Sequence, residues 1–558
     1  MPRGLYIKVV RPRGQTYAQL ARGIREGTKV RTEVLVNFGR VTPEQIENLR
    51  RWLATDPRFP LAPRPRDIAD LSELSVRQSW SYGKVAIGHF LWRKLGLHQL
   101  ALETLNGVPH KGRVAALLEA IVLNRLDDPT SKYGLLEWLP TTAVPFFLHL
   151  DPERLHDNLF YRAMDAFWRA KDRFEPKLFE RVVRPMSQSS GVLYHDLTSS
   201  YFEGEGGPLA QFGYSRDRRA DRPQVSWGMV VTPEGLPITL QVYPGNTTDN
   251  TTVIGMVDRL TRLFGLKEGT YVGDRGMKSE EVLADLHAHG FHYVLAEVNR
   301  NVEEIILQAQ KLPPVAVSEQ NQVREVIDRE GRRFIVLLNE ERRKTELENL
   351  GRRIAQGEAI LYQLRRAWAK RPRHHHTILR QAHAALAAKG LSDLFEIEWD
   401  EATVRGLTAK LKEGRRRDRR LAGWWVLTTD TDLPPEEVAR LYMGLSIIEQ
   451  GWRELKSGLE VRPIRHRLER RIEAHLFLCV LAYLLERVVE LHVRMRDYEL
   501  TGAKALDQFR TIMLNEVELA KTGWRRRLVT EMTKEQRSLL GAIGVAGLLF
   551  DAGPRGLD

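Results

Sequence analysis

The sequence predicts an α/β protein with a mixed-sheet core, an inserted subdomain, and a small β unit and a helical domain ahead of the core. Three observations lead to this prediction. The chain has 558 residues, and single cores rarely grow beyond about 250–300 residues, so several domains are expected. Helical periodicity dominates residues 80–185. Short apolar runs alternate with helical segments in residues 191–300, as in a sheet covered by helices.

Residues 1–58 are expected to form the small β-containing unit. Residues 6–10 and 32–37 have the apolar, β-branched composition of strands, and a polar, Arg-rich connection separates them. The Pro-rich residues 59–66 predict a linker. Residues 70–188 then make up the predicted helical domain.

Residues 189–300 and 431–490 form the predicted core. A short apolar run ends at Asp196, and a turn at residues 232–235 joins two further strand candidates, 224–231 and 238–243. Helix, strand, helix and strand follow at residues 250–264, 270–274, 279–289 and 293–298. Three strands in hairpin succession before this alternation are the order expected for a ribonuclease-H-like sheet.

Residues 301–430 interrupt this order and are interpreted as an inserted mixed α/β subdomain. Strand candidates occur at residues 334–338, 394–399 and 424–429, and a charged helical stretch lies near 345–390. A long excursion inside a compact sheet favours a subdomain over a loop. Residues 491–558 are expected to form a C-terminal helical region.

The chain is strongly basic, with a net charge of +13 and a pI near 9.7. Such a surplus favours a polyanionic partner, because each phosphate neutralised by Lys or Arg releases a counterion. On this ground the helical domain is expected to bind DNA, although its basic side chains could equally face solvent.

The chain has a single cysteine, Cys479, which excludes an intramolecular disulfide and fits a reducing compartment. The apolar residues 476–485 around it indicate burial but are too few to cross a bilayer. The first residues lack the apolar segment of a signal peptide. We therefore expect a soluble cytoplasmic protein with no membrane partner.

Two aspartates, Asp196 and Asp274, each end an apolar strand candidate. Ligand sites gather where strands end at one edge of an α/β sheet, which makes both residues candidate ligands. An aspartate in such a position can also cap a helix or form a turn, and either residue taken singly fits that alternative.

A third acid, Glu449, lies between Tyr442 and Lys456 in a helix predicted after residues 434–435. The three residues are spaced seven apart, so they project from one helix face at intervals of about 10 Å. Beside them runs a core-facing apolar stripe: Leu441, Leu445, Ile448, Trp452, Leu455 and Leu459. A carboxylate next to this stripe needs a metal or a cation. An ion pair with Arg453, four residues on, is the equally acceptable alternative.

Several motifs surround these acids: Leu193-Tyr-His-Asp-Leu-Thr198, Tyr201-Phe-Glu-Gly204, residues 213–224, residues 234–238, Pro244-Gly-Asn246 and Val272-Gly-Asp-Arg-Gly-Met277. In this order they resemble the DDE transposases of bacterial insertion sequences, in the insertion sequence 4 superfamily. Tyr442, Glu449 and Lys456 match three of the four positions of that superfamily's Y-R-E-K signature. Leu445 occupies the arginine position, so a phosphate contact there would have to come from Arg453 or Arg440.

The resemblance implies a DNA transposase with a ribonuclease-H-like core, in which Asp196, Asp274 and Glu449 are catalytic. These carboxylates would bind two Mg²⁺ ions, for which Mn²⁺ can substitute. The implied reaction cleaves transposon ends and joins the 3′-hydroxyl to target DNA by two-metal phosphoryl transfer. The implied partners are double-stranded DNA, as terminal inverted repeats and target, and a second copy of the chain in a synaptic homodimer. The implied location is the bacterial cytoplasm and nucleoid.

Ten residues are candidate DNA contacts: Tyr442, Trp452, Arg453, Lys456, Arg462, Arg465, His466, Arg415, Arg416 and Arg417. Basic groups beside an acidic metal site suit a phosphate backbone. Trp452 could stack on a displaced base, although its place in the apolar stripe favours packing in the core.

Other acids and histidines nearby are assigned duties other than metal binding. Turns and salt bridges are the expected duties of the loop acids Glu203, Asp217, Asp221 and Asp249. His195 should face away from Asp196, since strand side chains alternate. Residues 374–376, all histidine, are interpreted as a solvated, DNA-facing loop.

Two alternative functions remain at this stage. One is a ribonuclease-H-like DNA nuclease without strand transfer, and the other is a transposase-derived DNA-binding protein that has lost catalysis. The presence of all three acids argues against the second, whereas Leu445 argues for it.

Overall fold

The computed structural model describes residues 3–26, 29–55, 74–188, 191–370, 374–399, 407–519 and 524–545. The chain divides into two compact units, Met1–Arg77 with Glu516–Arg526, and Gln78–Asn515 with Arg527–Asp558. The predicted linker at residues 59–66 lies outside the described residues.

The N-terminal unit contains an antiparallel sheet of Arg3–Val10, Tyr17–Glu26 and Lys29–Arg40, followed by the helix Pro43–Thr55. Strands occupy both predicted positions, residues 6–10 and 32–37. The prediction of a polar connection between them was wrong, because this segment contains the central strand. Ala18 and Leu20 alternate with polar residues there and are buried in a small apolar cluster. That alternation is the pattern of a half-buried strand.

The main sheet has nine strands, in the order Val315–Ala316, Asn321–Ile327, Arg333–Asn339, Trp424–Thr429, Phe291–Ala296, Gly269–Gly273, Val192–Tyr201, Gln224–Val231 and Pro237–Pro244. The helices Asp249–Phe264 and Glu280–Ala288 connect its parallel strands. The predicted element order is therefore confirmed: three strands in hairpin succession, and then helix, strand, helix and strand. The strands belong to one large mixed sheet.

The strand Val192–Tyr201, called here the Asp196 strand, pairs on one side with Gly269–Gly273, called the Asp274 strand. Asp196 was predicted to end its strand, which is wrong. The strand continues to Tyr201 because its other edge pairs with Gln224–Val231 along its whole second half. Towards the Asp274 strand, however, the pairing stops at Tyr194 and Val272, so Asp196 lies just beyond it.

Four strands from the described part of residues 301–430 extend the main sheet, namely Val315–Ala316, Asn321–Ile327, Arg333–Asn339 and Trp424–Thr429. The helices of this region are Glu303–Ala309, Glu340–Lys370, His375–Ala387 and Glu413–Leu421. Glu340–Lys370 and His375–Ala387 share a separate apolar cluster with the strand pair Phe395–Trp399 and Leu407–Leu411. The boundaries of an inserted subdomain stay a prediction.

The predicted helical domain contains helices throughout its described part after the strand Leu74–Ser81: Gly83–Lys94, Leu97–Thr104, Lys111–Asp127, Leu135–Trp138, Val144–Leu148, Asp157–Leu178 and Arg184–Met186. These helices share one apolar core with the main sheet and with the long helix Glu469–Arg494. Cys479 is fully buried in that helix, as its apolar surroundings predicted. None of the helices in the described ranges is long and apolar enough to cross a membrane.

The C-terminal region was expected to be helical, which is only partly correct. It contains the helices Gly502–Asp507 and Lys534–Ile543, but also the strands Met513–Leu519 and Trp524–Val529. These strands form a three-stranded sheet with Leu74–Ser81. A strand supplied from more than 400 residues earlier in the sequence leaves no local pattern to detect.

The predicted single helix carrying Tyr442, Glu449 and Lys456 is divided into three pieces. Pro435–Met443 and Ser446–Arg453, called the Tyr442 helix and the Glu449 helix, are separated by a tight turn, and a π-helical turn, Glu454–Gly458, follows. At the turn, Gly444 packs so closely on Tyr194 that a Cβ atom would lie 2.1 Å from the tyrosine oxygen. The seven-residue spacing therefore does not run through one uninterrupted helix.

We predict that Gly444→Ala destabilises the protein by about 1–3 kcal/mol, the usual cost of overpacking a filled core. Alanine is otherwise favoured over glycine in helical backbone by about 1 kcal/mol. Gly458→Ala is the matched control, since a Cβ there meets no atom within 4 Å. Melting temperatures of both variants provide the measurement. A Gly444→Ala melting temperature equal to or above the wild-type value would contradict this packing.

Candidate active site

Asp196 and Asp274 lie at adjacent positions on neighbouring parallel strands. Tyr194 pairs with Val272, and each aspartate follows its pair by two residues, which places both on the same sheet face. Burial, with a smaller contribution from the charge of Asp274, raises the pKa of Asp196 to about 7. The arrangement therefore brings two carboxylates together in a place that resists holding both charges unless a cation is present.

Asp196 is held by two hydrogen-bond donors. Its Oδ2 accepts from Trp452 Nε1 at 2.8 Å, and its Oδ1 accepts from the Leu197 backbone N–H at 2.8 Å. Both bonds lower the pKa of Asp196 and thus favour its ionised form, against the effect of burial. The carboxylate is accordingly fixed in orientation, with lone pairs still unused on both oxygens.

Trp452 comes from the Glu449 helix and is 7% exposed. Its ring packs edge-on against Trp227, with centroids 4.8 Å apart and planes at 78°. The structure thus favours the core-packing alternative for Trp452 over stacking on a base. A buried indole needs a partner for its N–H, and Asp196 is that partner.

Asp274 follows its strand directly and is half-buried. Its Oδ1 accepts a hydrogen bond from Tyr442 Oη at 3.1 Å. Burial and the charge of Asp274 raise the pKa of Tyr442 far above its usual value, so the phenol stays protonated and remains a donor. The Tyr442 helix and the Glu449 helix therefore each send one aromatic donor to one aspartate.

Glu449 is exposed, on the helix that carries Trp452. Its negative charge contributes to the raised pKa of Tyr442, which places it near the phenol that binds Asp274. Among the described residues it forms no ion pair with Arg453, so the structure gives no support to that alternative.

No group of three or more His, Cys, Asp or Glu side chains within the described ranges is arranged to hold a metal ion. The donor chemistry nevertheless fits Mg²⁺, which prefers oxygen and is commonly bound by one or two carboxylates plus water and substrate phosphates. Asp196 and Asp274 supply such oxygens at one place, and Glu449 lies near them with no hydrogen bond or ion pair to any side chain that the structure describes.

Lys456 and Arg462 are both held by Asp217. Lys456 Nζ and Arg462 Nη1 lie 2.8 and 2.7 Å from Asp217 Oδ1. Burial lowers the pKa of Lys456, and only 10% of its side chain is exposed. Asp217 has the salt-bridge duty expected of it, and most of the Lys456 charge is directed to this acid rather than to solvent.

Asp249 pairs with Arg216 through contacts of 2.7 and 2.8 Å to its two oxygens. Arg216 also lowers the pKa of Asp196, so one guanidinium acts on both carboxylates. Asp249 packs against Gly276, two residues after Asp274, where a Cβ would lie 2.7 Å from Asp249 Oδ2. The Arg216–Asp249 ion pair therefore lies close to both Asp196 and Asp274.

The other predicted DNA contacts differ in their exposure to solvent and in whether a carboxylate already pairs with them. Arg453 is exposed, and Arg465 is exposed but pairs with Glu203 at 3.0 Å. Burial lowers the pKa of His466 to about 3, so its ring is neutral. Arg415, Arg416 and Arg417 lie on one helix and pair with carboxylates, in order Asp393, Glu413 and Glu303.

The remaining residues singled out from the sequence lie where expected, with one change. His195 is fully buried and bonds to Tyr271, on the sheet face opposite Asp196. Asp221 pairs with Arg219 at 2.8 Å. The histidines at 374–376 are exposed, but they begin the helix His375–Ala387 rather than forming a loop.

Sequence reasoning missed two contributors to this site, the Trp452–Asp196 bond and Arg216. A tryptophan in the apolar stripe beside a predicted catalytic acid could have raised the first possibility, because its N–H needs an acceptor when buried. Arg216 lies within a motif already recognised, residues 213–224, but nothing in its spacing distinguishes it from its arginine neighbours.

Comparison with known proteins gives two matches to family models. A transposase DDE domain matches residues 188–485, which include Asp196, Asp274 and Glu449. The N-terminal domain of IS1634 family transposases matches residues 7–60. No curated protein matches the chain.

Among solved structures, the chain is similar to the piggyBac transposase synaptic complex with hairpin DNA. The two are 10% identical over 76% of this chain and 79% of that chain, with a TM-score of 0.36. A likeness of that size carries no argument about function. The family models do, since the DDE domain alone spans more than half of the 558 residues. The chain therefore belongs to the DDE transposases of bacterial insertion sequences.

Proposed function

We propose that Asp196, Asp274 and Glu449 are the catalytic acids and that they bind two Mg²⁺ ions. The observation that carries this proposal is the pair of aspartates on adjacent parallel strands, each held by an aromatic donor from the helix pair that also carries Glu449. Carboxylates this close repel each other, and a divalent cation between them would offset both the repulsion and the cost of burial.

The proposed reaction is cleavage of transposon ends followed by transfer of the freed 3′-hydroxyl to target DNA. When bound, the two ions would activate the attacking oxygen and stabilise the leaving oxygen of an in-line displacement. Trp452 and Tyr442 orient Asp196 and Asp274 for this duty, as hydrogen-bonding partners behind metal ligands commonly do. Arg216, paired with Asp249, adds positive charge beside Asp196.

Three finer assignments belong to the same proposal. The strand order of the main sheet supports a ribonuclease-H-like core. Leu445 is buried at the turn between the helices, where an arginine would not reach solvent without repacking, so exposed Arg453 is our candidate for the phosphate contact. Two transposon ends must be joined to one target, which favours a homodimer on terminal inverted repeats.

We predict that Asp196→Ala, Asp274→Ala and Glu449→Ala each reduce Mg²⁺-dependent DNA cleavage by more than about a hundredfold. The reason is that replacing even the partners of metal ligands commonly costs about 10–100-fold. Binding to transposon-end DNA should stay close to the wild-type value in a gel-shift assay.

Glu437→Ala is the matched control, an exposed acid on the Tyr442 helix away from the proposed ligands. Its cleavage rate should equal that of the wild type. Cleavage retained by any of the three alanine variants would remove that residue from the metal site.

We predict that Trp452→Phe raises the Mg²⁺ concentration needed for half-maximal cleavage by about 10–100-fold, because Asp196 loses the donor that orients it. Trp227→Phe is the control, since that neighbouring buried indole donates to Ser200 instead. Titration of cleavage against Mg²⁺ measures both. Equal midpoints for the two variants would show that only ring packing matters.

We predict strand transfer as well as cleavage. A pre-cleaved transposon end with a free 3′-hydroxyl should become joined to target DNA in the presence of Mg²⁺, which gel electrophoresis of labelled DNA detects. Cleavage of target DNA without joining would identify a nuclease. Intact end binding without either reaction would identify an inactive DNA-binding protein.

A further inference from the structure

A basic cavity of about 460 Å³ lies next to the segment that follows the Glu449 helix. Its wall comes from the end of the helix Lys111–Asp127 and the loop after it, and from residues 460–466. The charged and titratable residues of this wall are Arg125, Lys132, Glu460, Arg462, Arg465, His466 and His475. Cations thus outnumber the single acid, Glu460, which is exposed.

Lys132 and Arg125 are the two deep cations of the cavity, and they are 3% and 5% exposed. Neither forms an ion pair with any carboxylate in the described part of the chain. A buried ammonium or guanidinium without a counter-charge is costly, so buried charges in proteins are normally paired. The two shallower arginines differ, since Arg462 pairs with Asp217 and Arg465 with Glu203.

Backbone carbonyl oxygens accept hydrogen bonds from some of the N–H groups of the Arg125 guanidinium. Nη1 donates to Glu460 O at 3.1 Å and Nη2 donates to Thr130 O, whereas Nε is buried without a partner. Lys132 Nζ has no hydrogen bond to any described residue. Burial and the charge of Arg125 lower the pKa of Lys132 to about 7, as expected for an ammonium that lacks an anion.

The histidines of the cavity provide no counter-charge for Lys132 and Arg125, because an imidazole is either neutral or positively charged. Burial holds the pKa of His466 and of His475 well below the usual value, and the charges of Lys132 and Arg125 lower both further. His475 Nε2 donates to Val461 O at 3.0 Å. Asp165, whose charge acts to raise the pKa of His466, is already paired with Arg470 and Arg471.

We propose that this cavity is a binding site for a phosphate group, with Lys132 as its main ligand and Arg125 behind it. Lysine suits phosphate as a compact point charge with three donors. The cavity volume falls within the range of about 300–1,000 Å³ that ligand sites occupy, so it has room for a phosphate attached to a sugar.

The position of the cavity favours a DNA strand as the carrier of that phosphate. Arg462 lines it and also pairs with Asp217 beside Lys456, and Ile464 bridges to Phe202 just past the Asp196 strand. The site therefore adjoins the end of the strand that carries a proposed catalytic acid. The choice of DNA rests on the proposed function, whereas the phosphate chemistry rests on Lys132 and Arg125 alone.

The test begins with inorganic phosphate and the full-length protein, at constant ionic strength set with chloride. Phosphate should raise the melting temperature of the wild type, and isothermal titration should show binding. Lys132→Met should weaken this binding by at least about tenfold, since it removes a charge-assisted hydrogen bond. Lys132→Arg, which keeps the charge, should retain a response. Lys389→Met, at an exposed lysine elsewhere, should behave as wild type.

Folding of the Lys132→Met protein does not limit this test. Replacing a buried unpaired charge by an apolar side chain of similar length is expected to leave the melting temperature without phosphate equal or higher. Wild-type protein that shows no response to phosphate, or a Lys132→Met response equal to that of wild type, would overturn the proposal.

The second arm identifies the carrier of the phosphate. Binding to transposon-end duplex is measured over a series of salt concentrations, and Lys132→Met should reduce the slope of log K against log salt by about one. A lost phosphate response with an unchanged slope would overturn DNA as the carrier and assign the site to a small phosphorylated molecule. This second arm measures DNA binding and not catalysis. Its result can therefore be interpreted even if the cleavage assays show that Asp196, Asp274 and Glu449 are not the catalytic acids.

Discussion

Two parallel strands, Val192–Tyr201 and Gly269–Gly273, lie side by side in the main sheet, and the arrangement of the candidate site depends on their register. Because Tyr194 pairs with Val272, Asp196 and Asp274 come out at the same level and on the same face. A shift of one residue in either strand would turn one carboxylate to the other face. The buried His195–Tyr271 contact on that other face favours the observed register.

The helix pair above the sheet converts this register into a defined site. Gly444 lets the chain turn tightly against Tyr194, and the turn sends Tyr442 to Asp274 and Trp452 to Asp196. The bond from Trp452 favours the charged form of Asp196, which burial and the charge of Asp274 oppose. The fixed hydrogen-bond donors and the raised pKa of Asp196 support the proposed cation site, and Arg216 adds positive charge beside it.

The sequence predicted local elements well and long-range pairings poorly. The hairpin strands and the helices around Asp274 follow from periodicity, because each buries one face of its own pattern. The central strand Tyr17–Glu26 was missed, since its charged residues conceal an alternation of small apolar ones. Asp196 was assigned to a strand end because the apolar run stops there, whereas pairing with Gln224–Val231 keeps the polar continuation extended.

The candidate site shows the same division. The three acids could be named from motif and position, and two of them lie together as expected. The spacing of Tyr442, Glu449 and Lys456 predicted one continuous helix, whereas the structure divides it. The Gly444 contact and the π-helical turn are tertiary effects that no spacing reveals. The pairing of Lys456 and Arg462 with Asp217 likewise joins residues about 240 apart in sequence. Local sequence patterns carry no information about contacts between residues so far apart.

Iron-directed cleavage of the polypeptide tests most directly whether Asp196, Asp274 and Glu449 hold divalent metal together. With added hydrogen peroxide as the oxidant and ascorbate as the reductant, Fe²⁺ replacing Mg²⁺ generates hydroxyl radicals that cut the backbone near the ion. The fragments can be sized by mass spectrometry. We expect cuts close to residues 196, 274 and 449 in the same experiment, all suppressed by excess Mg²⁺ and lost in Asp196→Ala. Cuts confined to other acids, or unchanged in that variant, would contradict it.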